Sequence, residues 1–110
     1  MILYGIANCD TVRKAKKLLE QADQPFCFHD FRKEGLNPAM IQAWLAYADY
    51  SQLINKRSTT WKDLNESEQQ AIESQDLERV CQHPTLIKRP LLDTGSRLLI
   101  GFNASEYQSL

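Results

Sequence analysis

Apolar residues change their spacing several times along the chain, and each change marks an element. "MILYGI" is short and almost wholly apolar, and it runs into Asn8, which predicts a buried strand. From Val12 the period becomes three and four. Val12, Ala15, Leu18, Leu19 and Ala22 form one stripe of a helix, with Arg13, Lys14, Lys16 and Lys17 on its remaining surface and Asp23 and Pro25 closing it. Asn8, Asp10 and Thr11 are residue types that start helices. Alternation returns in "PFCFHDF", where Phe26 and Phe28 share one face and Cys27, His29 and Phe31 the other. A charged turn, "RKEGLN", leads to "NPAMIQAWLAYA", which opens with a capping residue and a proline at the first helical position.

Residues 49 to 84 read as helical and polar, anchored by Leu64, Ala71, Ile72, Leu77 and Val80. β character resumes in "TLIKRPLLDTGSRLLIGF", two strand-like runs around the turn signal "DTGS". The order β-α-β, a helical middle and β-β predicts an α/β protein. The expected architecture is a thioredoxin-like fold, a mixed four-stranded sheet with an inserted helical region, roughly residues 36–84, in one domain over residues 1–110. Pro90 falls inside a strand-like run, where it removes a ladder donor. Either that strand is at an edge or it begins at Pro90 after a special turn, for which a cis Arg89-Pro90 peptide is one route.

Composition narrows the function classes. A chain of 110 residues that is 43% hydrophobic can bury a core. Its net charge of −1 argues against a general nucleic-acid binder. No apolar run is long enough for a membrane span, and charge arrives too early for a signal peptide. Three cysteines at irregular spacing are no disulfide scaffold, so the expectation is a reduced, cytoplasmic protein.

Cys9 then stands out, because it falls at the strand-to-helix turn, beyond the carboxyl end of the first strand, where open α/β sheets bind ligands. A helix start favours thiolate over thiol. Backbone N–H groups of Thr11 and Val12, and the Thr11 hydroxyl, could point at the sulfur. Lys14 would act in the same sense and Asp10 against it. Such surroundings take a thiol from about 8.5 to about 3.5–7.5. Asn8 and Thr11 are therefore site candidates with Cys9. The position three after Cys9 is Val12, so no CxxC pair exists and a resolving thiol is expected from outside. Cys27 is expected in the core, and Cys81 either exposed or half-buried.

Arg89, with Lys88 before Pro90, is a candidate anion holder through its planar guanidinium. Arg57, among small polar residues in "NKRSTTW", is a third basic candidate. His29 and His83 lie far apart without metal-ligand spacing, and the glycines are scattered, so no metal or nucleotide cofactor is indicated.

"YGIANCDTVRKAKKLLE", "FHDFRKEGL", "LINKRSTTWKDL" and "IKRPLLDTG" followed by "RLLIGF" resemble, in order and spacing, the arsenate reductase-related group containing ArsC, Spx and YffB-type proteins, closest to the YffB type. The resemblance implies a thioredoxin-like fold, one reactive cysteine at Cys9, and Arg89 beside a cis-Pro90 binding an anion. It implies glutathione as co-substrate, with glutaredoxin as a recycling partner, and so a glutathione-dependent thiol reductase. Two arginines that surround arsenate in the group's true reductases fall here at Asn55 and Ile100, which weighs against arsenate. The alternative implied by the group is an Spx-like partner-binding regulator acting on RNA polymerase, although Spx switches typically use the CxxC pair that Val12 interrupts.

Overall fold

The computed structural model describes residues 1–110. The chain divides into a sheet unit, Met1–Gly35 with Arg89–Leu110, and a helical unit, Leu36–Lys88. In the sheet unit β1 (Ile2–Gly5) leads to α1 (Asp10–Gln21) and then to β2 (Cys27–Asp30). The unit resumes with β3 (Leu91–Asp93) and β4 (Leu98–Ile100). The strand order is β2-β1-β3-β4, with β1 parallel to β2 and antiparallel to β3, and β3 antiparallel to β4. The sheet is mixed, as the fold class expected.

One rung of that register explains the core. Phe28 pairs with Leu3, Leu3 with Leu92, and Leu92 with Leu99, so four apolar side chains cross the sheet on one face. Ala15 and Leu19 of α1 join them, together with Tyr107. Full burial of each large aliphatic contributes roughly 1.5–3 kcal/mol. Val12 is also fully buried, while Ala22 lies past the end of α1 and is exposed.

Strand β2 stops earlier than alternation suggests. Phe31 begins the single-turn helix α2 (Phe31–Glu34), because Asp30 Oδ1 accepts the Arg32 N–H at 2.9 Å and caps the turn. Phe31 is buried and stacks on Tyr4, with ring centroids 6.2 Å apart. The expected charged turn is therefore helical at its start.

The helical unit holds α3 (Pro38–Trp44), α4 (Tyr50–Leu53), α5 (Thr59–Asp63), α6 (Glu66–Glu73), α7 (Leu77–Cys81) and a 3-10 turn at Pro84–Leu86. Caps cut the helical stretch into pieces. Asn37, Ser58, Asn65 and Asp76 each accept a backbone N–H from three residues ahead, and each restarts a helix. Ile72 and Val80 are buried anchors, whereas Leu64, Ala71 and Leu77 are half-buried. Leu53, Ile54, Leu86 and Ile87 complete this core through an Ile54–Ile87 bridge. A last helix, α8 (Ala104–Gln108), belongs to the sheet unit and packs against α1. Asn103 Oδ1 caps it, accepting from Ser105 and Glu106.

Candidate functional site

Gly5 ends β1, and after three residues, Ile6 to Asn8, the chain enters α1 at Cys9, its N-cap. Gly5 is needed there. A Cβ on it would lie 2.7 Å from Val12 Cγ2, and Val12 is fully buried and β-branched, so it cannot swing aside. The missing side chain lets the first turn of α1 sit against the strand end. Cys9 is extended, at φ −110° and ψ 129°, and its carbonyl accepts the Arg13 N–H at 3.0 Å. The side chain therefore projects toward the free N–H groups that open the helix.

The Thr11 hydroxyl lies 3.1 Å from Cys9 Sγ. Partial burial alone would push the thiol up. Hydrogen bonds from the Thr11 hydroxyl and from the Val12 and Thr11 backbone N–H groups, with the Arg89 charge, outweigh burial and hold it below its ordinary value. The cation that helps is Arg89 rather than Lys14. Asp10 does not oppose it in the expected way, since its carboxylate pairs with Arg13 on the exposed side of α1.

Arg89 precedes Pro90 through a cis peptide bond, and buried Pro90 accepts the Gly101 N–H at 2.8 Å. The structure thus brings Cys9, Thr11, Arg89 and Pro90 together within the sheet unit. Asn8 is exposed in the turn before Cys9. Lys88 and Arg57 belong to the helical unit. There the Lys88 N–H donates to Leu53 O at 2.8 Å, and the Arg57 N–H donates to Asn55 Oδ1 at 3.0 Å.

Cys27 departs from expectation: it is exposed at the start of β2, not in the core. Its register partner is Ile2, at the opposite end of β1 from Cys9. Three further residues of strand alone span about 10 Å, beyond the about 7 Å that a disulfide allows between Cα atoms. Cys81 ends α7 and is half-buried, and all three cysteines are free. His29 is held structurally, with Nε2 2.8 Å from Gly35 O and its ring beside Tyr4 and Phe31. Sequence reasoning did not single out Gly5, and overlooked α8, although the Asn-Ala-Ser-Glu start at Asn103 was a readable cap.

A βαβ unit followed by an antiparallel hairpin, in one mixed four-stranded sheet, defines a thioredoxin-like domain. The chain belongs to the ArsC family, whose profile matches residues 4–110. It is 40% identical over 108 residues to an uncharacterised protein of Haemophilus influenzae, covering 97% of this chain and 95% of that one. It is 31% identical over 107 residues to the global transcriptional regulator Spx of Bacillus subtilis, covering 94% of this chain and 81% of Spx. Among solved structures it resembles the YffB protein with a TM-score of 0.89 at 32% identity, over 98% of this chain and 96% of that one. An arsenate reductase (ArsC) related protein from Brucella melitensis matches with a TM-score of 0.71 at 33% identity, over 98% and 91%.

Proposed function

We propose that the protein is a glutathione-dependent thiol reductase whose only nucleophile is Cys9. The observation that carries this is the thiol held below its ordinary value by the Thr11 hydroxyl, two backbone N–H groups and Arg89. The Cys9 thiolate attacks the glutathione sulfur of a glutathione mixed disulfide. A Cys9–glutathione disulfide forms, the substrate's S–S bond breaks, and the substrate thiolate leaves and takes up a proton. A second glutathione thiolate then attacks that adduct, releasing glutathione disulfide and restoring the Cys9 thiolate. Arg89 is suited to a glutathione carboxylate, with Lys88 and Arg57 as further candidates. Such a cycle belongs to a reducing, glutathione-containing compartment, the cytoplasm, where glutaredoxin could take the place of the second glutathione as recycling partner. Arsenate fits less well. Asn55 and Ile100 stand where arginines are expected around that anion, and Ile100 is an apolar rung of β4 paired with Leu91. Each charged hydrogen bond so lost costs roughly 1.5–3 kcal/mol.

The test is turnover of a glutathione mixed disulfide by the wild type and by Cys9→Ser. Turnover that disappears in the variant supports the reading, and a wild type that does no better than free glutathione ends it. Kinship with Spx favours a second reading, a partner-binding regulator without catalysis. A wild type without turnover, whose specific partner is still held by Cys9→Ser, would establish that one.

A further inference from the structure

Helix α1 carries four cations in its middle turns, and they are not equivalent. Arg13 pairs with Asp10, and Lys16 sits over the Phe28 ring, 3.6 Å from its centroid. Lys14 and Lys17 are exposed and have no carboxylate or ring partner. These two line a groove of about 350 Å³ with Leu18 and Gln21 of α1 and with Phe102 and Ala104. Its floor is apolar. A second hollow of about 240 Å³ continues from Leu18 and Gln21 to Tyr107, whose buried hydroxyl has no hydrogen-bond partner. No carboxylate lines either hollow.

We propose that this groove between α1 and α8 docks an acidic polypeptide segment of a partner protein, which seats an apolar side chain over Leu18 and Phe102 and sets carboxylates against Lys14 and Lys17. An apolar floor with an unpaired cationic wall is complementary to that chemistry. It is a poor match for a nucleic acid, whose affinity comes from many phosphate contacts and whose backbone offers nothing to an apolar floor.

The groove also points toward the candidate thiol. Thr11, Lys14, Leu18 and Gln21 are spaced three, four and three residues apart and share one face of α1. Thr11 is the residue whose hydroxyl touches Cys9 Sγ. Leu18 is roughly 10 Å along the helix axis from Thr11, a distance that about three extended residues cover. A segment anchored in the groove can therefore present its next few residues at Cys9, whereas glutathione has no apolar anchor to seat there. Docking itself does not depend on the thiol chemistry, so it is measured on the Cys9→Ser chain.

The experiment is an NMR titration of labelled Cys9→Ser protein with a peptide carrying one phenylalanine flanked by glutamates. Shifts centred on Leu18, Gln21, Phe102 and Ala104 are expected. Adding Lys14→Glu and Lys17→Glu, both exposed and outside the thiol site, should weaken binding about tenfold, as reversal of two surface charges implies. Three controls run alongside: a lysine-flanked peptide, a single-stranded oligonucleotide and anionic vesicles. The proposal is overturned by shifts elsewhere or no binding, by a control that binds equally well at the groove, or by charge-reversed protein that binds unchanged. Groove shifts that depend on protein concentration without peptide would overturn it in favour of a second copy of this chain.

Discussion

Cys9 and Cys81 are both half-buried thiols next to a helix, yet their surroundings push them in opposite directions. Burial raises each. At Cys9 the helix begins, so N–H groups of Val12 and Thr11 face the sulfur, the Thr11 hydroxyl adds a bond, and Arg89 adds a positive charge. At Cys81 the helix ends, the intrahelical donors are spent, and Glu78, one turn back, adds a negative charge, so the thiol is held above its ordinary value. The lesson is that similar burial does not fix the direction in which a thiol is shifted. The end of the helix on which a cysteine falls, and the sign of its neighbour, separate the two.

The largest effect that could break this contrast is catalytic. Cys9→Ser should abolish thiol exchange with a glutathione mixed disulfide, while Cys81→Ser should keep it within about twofold, as expected of a residue outside the chemistry. The reverse result would move the site to the helical unit. Next comes alkylation of the native protein by iodoacetamide near neutral pH, with adducts assigned by mass spectrometry. Cys9 should react faster than Cys81, since the thiolate is the reacting form and the two thiols are shifted in opposite directions. Equal rates would erase the contrast.

Thr11→Val should then slow Cys9 alkylation about fivefold at that pH, the worth of one hydrogen bond of about 1 kcal/mol. An unchanged rate would leave the backbone donors as the whole explanation. Arg89→Ala should have the smallest effect, about twofold, because its charge is the weakest of the influences on the sulfur, and added salt should shrink it further. Folding stability carries the same contrast with opposite signs. Cys9, lowered in the folded state, stabilises above the unfolded thiol value and loses that contribution as pH falls through its folded value. Cys81, raised in the folded state, contributes fully below the unfolded value and loses it as pH rises through its folded one. Urea titrations of the two serine variants across that range, kept reduced, should show stability differences that change with pH in opposite senses.

Much of this was readable from the residues. The sheet unit was legible because its strands are short apolar runs and α1 has a clean stripe in Val12, Ala15 and Leu19. The core rung could not be read, since it depends on register, which aligns Leu3 with Leu92 and Leu92 with Leu99 across long gaps in sequence. In the helical unit the expectation of helix was sound, but its division was set by side-chain caps at Ser58, Asn65 and Asp76, whose local bonds override an averaged pattern. Around the thiol, Thr11 and Arg89 were legible because helix starts and X-Pro turns have strong positional chemistry. Cys27 was misread because alternation assigns opposite faces of a strand without saying which of them is covered.

One edge strand of the sheet, β2, has a further consequence, for pairing between chains. Its Cys27 N–H points inward to Met1 O, so by alternation the Phe28 and Asp30 N–H groups point away from the sheet. Glu34 Oε2 already accepts the Asp30 N–H at 3.1 Å. That leaves Phe28 alone in β2 to offer an outward donor, one rung where a templating edge needs several. The strand that carries an exposed cysteine thus offers a second chain a shortened template for backbone pairing, and a carboxylate from the very next turn does the shortening.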